Sequence, residues 1–135
     1  MRTLFLYVED DADVPEAAFF ESRLLRLADE AERAYPRWDV LSLAPVPATC
    51  ARSAALPWFD ARSQLVHPRL AFSRTTAVAV SHRGVERLLA ALPADNVIDL
   101  WMRRLMRQGQ LNILLHCGGL VRNGAASNHS VARLA

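Results

Sequence analysis

Four carboxylates fall within five positions at Glu9-Asp10-Asp11-Ala12-Asp13. Charges of one sign this close repel one another unless a cation or arginines neutralise them. Hard divalent ions such as Mg²⁺ take carboxylate oxygens and leave positions for phosphate oxygens. One reading of the run is therefore a metal bridge to a nucleotide diphosphate. The other is a solvated acidic turn that favours the positive N-terminal end of a helix starting at Pro15. Spacing alone does not separate the two.

Three further groups could do chemistry. Asp99 is flanked by Ile98 and Leu100 in an apolar helical pattern, where it could act as a general base or pair with Arg103 one turn on. His129 sits in the tail Ala126-Ser127-Asn128-His129-Ser130. It could supply a nitrogen ligand if the tail folds back, although terminal residues are usually loosely ordered. Arg103, Arg104 and Arg107 could hold phosphates or form a solvated helix face. His67, His82 and His116 lack zinc-site spacing, and Cys50 and Cys117 read as two core thiols. Walker, Gly-x-Ser-x-Gly and His-Glu-x-x-His motifs are absent.

The elements that must position these groups follow from pattern. Thr3 to Val8 is apolar on both alternating faces and reads as a buried strand, delivering the acidic run to a sheet edge. From Pro15 to about Tyr35, Phe20, Leu24, Leu27, Ala28 and Ala31 form one apolar helical stripe. Trp38 to Leu43 is a second strand, and residues 44–64, with three prolines, read as a surface loop. Leu65 to Phe72 is a candidate edge strand. Thr75 to Val80 is a further strand; Ser81 can cap a helix over His82 to Leu92, stopped by Pro93. Asp95 or Asn96 can cap a helix from Val97 to about Gln108, which Gly109 ends, and Leu111 to His116 is the last strand. This alternation predicts an α/β domain with a mixed sheet and flanking helices.

The 135 residues make one domain, and 52% apolar with 22% charged residues excludes a disordered chain. No apolar run approaches the roughly 20 residues a bilayer needs, and no signal-peptide pattern opens the chain, so the expectation is a cytoplasmic protein without a transmembrane segment. All sixteen basic residues are arginines. Residues 1–39 hold ten acids and five arginines, and residues 40–135 hold four acids and eleven arginines. A small net charge of +2 and few aromatics argue against nucleic-acid binding.

Taken in order, these motifs resemble glycosyltransferase family 25, which includes lipopolysaccharide and lipooligosaccharide glycosyltransferases and collagen galactosyltransferases. The resemblance lies in the apolar strand running into Glu9-Asp10-Asp11, and in Trp38-Asp39-Val40-Leu41 opening a strand after a helix. It continues through Thr76 to Ser81 with Arg83-Gly84 and Leu88-Leu89, Val97-Ile98-Asp99, and Leu120-Val121 with Ser127 beyond. It implies a GT-A-like fold and transfer of a sugar, with inversion, from a nucleotide-sugar such as a uridine diphosphate sugar. The acceptor it implies is a saccharide or lipid-linked saccharide of the bacterial envelope, which would put the chain in the cytoplasm or peripherally at the inner membrane. Glu9 and Asp11 would then bind Mn²⁺ or Mg²⁺, with His129 as a candidate ligand; Asp10 would shape the turn, and Asp99 would be the base. The family's N-terminal nucleotide-binding βα units have no counterpart before the first strand, so the expectation is a catalytic half. Without those units the first strand lacks a pairing neighbour, which predicts a homo-oligomer or partner chain on that edge. The alternative is a non-catalytic α/β partner module that completes another chain.

Overall fold

A computed structural model describes residues 4–53, 60, 62–67 and 74–124. Its strands are β1 (Leu4–Val8), β2 (Ala12–Asp13), β3 (Val40–Ser42), β4 (Leu65–Val66), β5 (Ala77–Ser81), β6 (Ile113–His116) and β7 (Arg122–Asn123). Its helices are α1 (Phe20–Ala34), α2 (Pro47–Ser53), α3 (His82–Ala90) and α4 (Ile98–Arg107). Five strands form one sheet in the order β1-β5-β3-β6-β4, and β2 pairs with β7 in a separate ribbon. Only β3 and β6 run parallel; the other pairs are antiparallel. The chain is thus α/β with a mixed sheet and flanking helices, as the alternation predicts.

Period-two burial decides which helix covers which face. Leu41, Leu65, Ala77, Ala79 and Leu114 pack with Leu24, Leu27, Ala28 and Ala31 of α1. Their neighbours Val40, Val66, Val78, Val80, Ile113 and Leu115 turn the other way, onto Trp101, Met102, Leu105 and Met106 of α4. The α1 stripe is the one read from sequence, while α4 buries Met106 beside Trp101, Met102 and Leu105 and leaves Ile98 exposed. Ser81 caps α3, its Oγ accepting from the Gly84 amide at 3.0 Å. Gly109, at φ +73°, closes α4.

Four expectations are corrected. The helix after the acidic run begins at Phe20, behind a 3₁₀ turn over Ala17–Phe19, so Pro15 precedes it rather than opening it. The segment read as surface loop contains α2. Strand β1 is an edge strand whose Phe5, Leu6, Tyr7 and Val8 are 42–49% exposed, because only β5 pairs with it. Cys50 and Cys117 are joined in a disulfide across 67 residues. Closing a loop of that length constrains the unfolded chain by about 4 kcal/mol on the loop-entropy account.

The backbone packs closely at the α3 N-terminus. A Cβ placed on Gly84 would sit 2.2 Å from the Asp39 carbonyl oxygen and 2.8 Å from Val80 Cγ1. Neither backbone nor a buried β-branched side chain can yield that much. We expect Gly84→Ala to lower stability by about 2–3 kcal/mol in urea unfolding. An unchanged midpoint would contradict this close approach.

Candidate functional site

The acidic run becomes a tight turn at the end of β1. The Glu9 amide still donates to the Thr76 carbonyl at 2.8 Å, prolonging the β1 pairing, and the Ala12 amide closes back on the Glu9 carbonyl at 3.1 Å. The β2–β7 ribbon then fixes the exit. Asn123 accepts from the Thr76 hydroxyl and donates through Nδ2 to the Ala44 carbonyl at 3.2 Å, while the Gly124 amide donates to the Asp11 carbonyl at 2.9 Å. Leu120-Val121 thus lead into the strand that holds the acidic turn in place.

Within this turn the three carboxylates are unlike. Asp10 is exposed at the tip, while Asp11 is only 9% exposed and its Oδ1 is buried with no hydrogen-bond partner. A buried carboxylate oxygen without a donor is costly unless a cation or water meets it. Glu9 is half-buried, and its carboxyl is held above the usual carboxylate range. Burial is the largest cause, followed by the negative charges of Asp11, Asp99 and Asp10; a hydrogen bond from the Tyr7 hydroxyl works against them. Tyr7 in turn is pushed up by burial and by Glu9.

Asp99, in the first turn of α4, is thus brought near enough to the end of β1 for its charge to act on Glu9. The sequence places the two ninety residues apart, and the fold draws them together. The pairing of Asp99 with Arg103 is not found; Asp99 Oδ1 instead accepts from the Leu100 amide at 2.9 Å. On this helix Arg104 pairs with Asp95 at 2.6 Å, and Asp95 does not cap the helix. Asn96 accepts from the Val97 amide, and the helix has no side-chain cap. Among the described residues no group of three His, Cys, Asp or Glu side chains is close enough to hold a metal ion. His129 lies outside the described residues.

Sequence reasoning missed two features. Asp39 is fully buried: its Oδ2 accepts from the Asn112 amide at 2.8 Å, and Arg87 and Arg83 stand 3.5 and 3.7 Å from its carboxylate. The i, i+4 spacing of Arg83 and Arg87 was the available signal for a shared partner. His116 was set aside for want of ligand spacing, yet it lies in a cleft beside Gly118. Its Nδ1 is 3.1 Å from the Ser63 carbonyl, and burial pushes its pKa down.

No family model matches the chain, and neither the curated proteins nor the solved structures include a match. No described helix is long and apolar enough to cross a membrane.

Crowding at Glu9 sets its effect on stability. A carboxyl whose value is raised on folding favours the protonated form, so the fold is relatively strengthened as pH falls through that value and weakened as pH rises through it. Glu9→Gln should therefore gain about 0.5 kcal/mol at about pH 8 and much less at about pH 4, read from thermal melts without divalent metal. A loss of stability at the higher pH would show that the Tyr7 hydrogen bond outweighs the crowding.

Proposed function

We propose that the chain carries the catalytic segment of a family 25-like, GT-A-type glycosyltransferase that moves a sugar from a uridine diphosphate donor to a saccharide or lipid-linked saccharide acceptor. The observation that carries this reading is the approach of Asp99 to Glu9, which brings a candidate base near the turn that holds Glu9 and Asp11. The chemistry of the donor set fits a hard cation: Glu9 and Asp11 offer carboxylate oxygens, one of them buried and unpartnered. Bound there, Mn²⁺ or Mg²⁺ would neutralise the charge of the departing diphosphate. Asp99 accepts the proton of the acceptor hydroxyl as its oxygen forms the new bond to the anomeric carbon. The bond from that carbon to the diphosphate breaks, and the diphosphate leaves with the electron pair. Asp10, exposed in the turn, would shape it between Glu9 and Asp11. The Cys50–Cys117 bond bears on location, since such cross-links persist in oxidising surroundings and a reducing cytosol opens them.

Isothermal titration of uridine diphosphate with and without Mn²⁺ tests the reading on the wild type, Asp11→Ala and Asp99→Asn. We expect binding that needs the metal, falls at least tenfold in Asp11→Ala and persists in Asp99→Asn, which instead loses transfer. Absence of metal-dependent binding in a sample that melts cooperatively would overturn it.

A second reading, a non-catalytic module that associates through β1, is favoured by the four successive large apolar side chains exposed on that edge strand. It commits to a second copy of the chain pairing along β1. Sedimentation velocity should then show a dimer that Leu6→Arg converts to monomer, with no effect from Asp99→Asn. A monomeric wild type would sink it.

A further inference from the structure

A cleft of about 440 Å³ opens between α1, the Arg62–Gln64 turn and the segment from His116 to Arg122. Arg23, Arg26, Arg62 and Arg122 line it, against the carboxylates of Glu16 and Glu30. Arg23 is committed, being paired with Glu16 and placed over the Phe19 ring. The guanidiniums of Arg26 and Arg122 have no ion-pair partner among the described residues, and Arg62 lies near enough to Asp60 for its charge to help hold that carboxyl down. They come from three different elements, so their convergence is not the solvated face of one helix.

The walls are rigid. Asp60 accepts from the Ser63 hydroxyl at 2.6 Å and from the Arg62 amide at 3.1 Å, which fixes the turn that carries Arg62. The Cys117 amide donates to the Gln64 carbonyl at 2.8 Å, and the disulfide anchors Cys117 to α2. Beyond it the amides of Gly118, Gly119 and Leu120 make no hydrogen bond among the described residues. His116 adds a neutral acceptor to the lining. His116 Nδ1 faces a carbonyl and must donate to it, so Nε2 of the neutral ring carries the lone pair. A Cβ on Gly118 would lie 2.7 Å from that Nε2, and the glycine leaves this space open.

We propose that this cleft is a binding site for the phosphoryl group of a small phosphate or phosphate ester. Arg26, Arg62, Arg122 and the amides of residues 118–120 donate to its oxygens, and His116 Nε2 accepts its remaining P–OH proton. Donors on three sides match the oxygens of a tetrahedral anion, and guanidinium is the cation best shaped to grip them. A neutral acceptor among these donors adds selectivity, beside the carboxylates of Glu16 and Glu30 at the cleft's margin. Sulfate has the same shape and no proton to give, so against sulfate the Nε2 lone pair is left facing an anion. This site needs no metal and no carboxylate of the acidic turn, and it stands or falls apart from the transferase reading.

The test is titration of inorganic phosphate, pyrophosphate and sulfate at constant ionic strength in chelator, followed by amide and imidazole nuclear magnetic resonance. The samples are wild type, Asp11→Ala and the double variant Arg26→Gln/Arg122→Gln, each shown to melt like wild type. We expect saturable phosphate or pyrophosphate shifts centred on Gly118, Gly119 and His116, retained in Asp11→Ala and at least tenfold weaker in the double variant. Phosphate should bind at least threefold more tightly than sulfate. No saturation, equal affinity in the double variant, or sulfate binding as well as phosphate would each overturn the proposal.

Discussion

A carboxylate wholly removed from water holds the centre of the molecule together. Asp39 stands at the start of β3, where its side chain receives the amide that precedes β6 and faces two arginines of α3, while its own carbonyl receives the Ser81 amide that begins that helix. An unpaired charge in that position would cost several kcal/mol, so the three elements must meet there for the chain to fold at all. The register of β3 against both β5 and β6 is set by this meeting, and everything further out is positioned by it. β1 lies on the far side of β5, and the acidic turn hangs from its end.

The same network changes the meaning of two family-like motifs. Trp38-Asp39 and Ser81-x-x-Gly84 have structural roles: Trp38 is buried with its indole N–H on Glu32 at 3.0 Å, Ser81 caps, and Gly84 permits the approach of the Asp39 carbonyl, although Asp39 Oδ1 has no hydrogen-bond partner. Motifs of this kind identify a way of joining strands and helices, whatever chemistry the surface carries. The acidic turn and Asp99 are different, because no packing demand accounts for their proximity. Like charges are gathered there at a cost, with burial and the neighbouring carboxylates holding the Glu9 carboxyl up.

Much of the framework was legible because burial imposes simple periods. The stripes of α1 and α4 and the alternation along β5 are direct images of which side faces a neighbour. What was illegible depended on contacts between distant segments. Whether β1 is central or marginal is decided by which strands lie beside it, and its own apolar residues read alike in both cases. The disulfide could not be read from two cysteines 67 residues apart at no diagnostic spacing. His116 looked inert by sequence, and only the fold sets it against Ser63 and opposite three arginines from separate elements. The charge asymmetry read from the sequence is resolved in part at Asp39, where arginines of the second half neutralise an acid of the first.

The disulfide closes nearly the same loop as the parallel pair at the sheet's centre. Asp39 and Asn112 are 73 residues apart and the two cysteines 67, so β3 and β6 are brought within reach once the sulfur atoms have joined. Parallel pairing across such a distance is the slow part of a search, since its ordering entropy is lost before any contact rewards it. In the oxidised chain that search is largely over before folding starts. Order of events, as well as final stability, is therefore written into the cross-link: a chain that refolds with its thiols reduced must find its central strands unaided, and the exposed β1 edge stays open to other chains for longer.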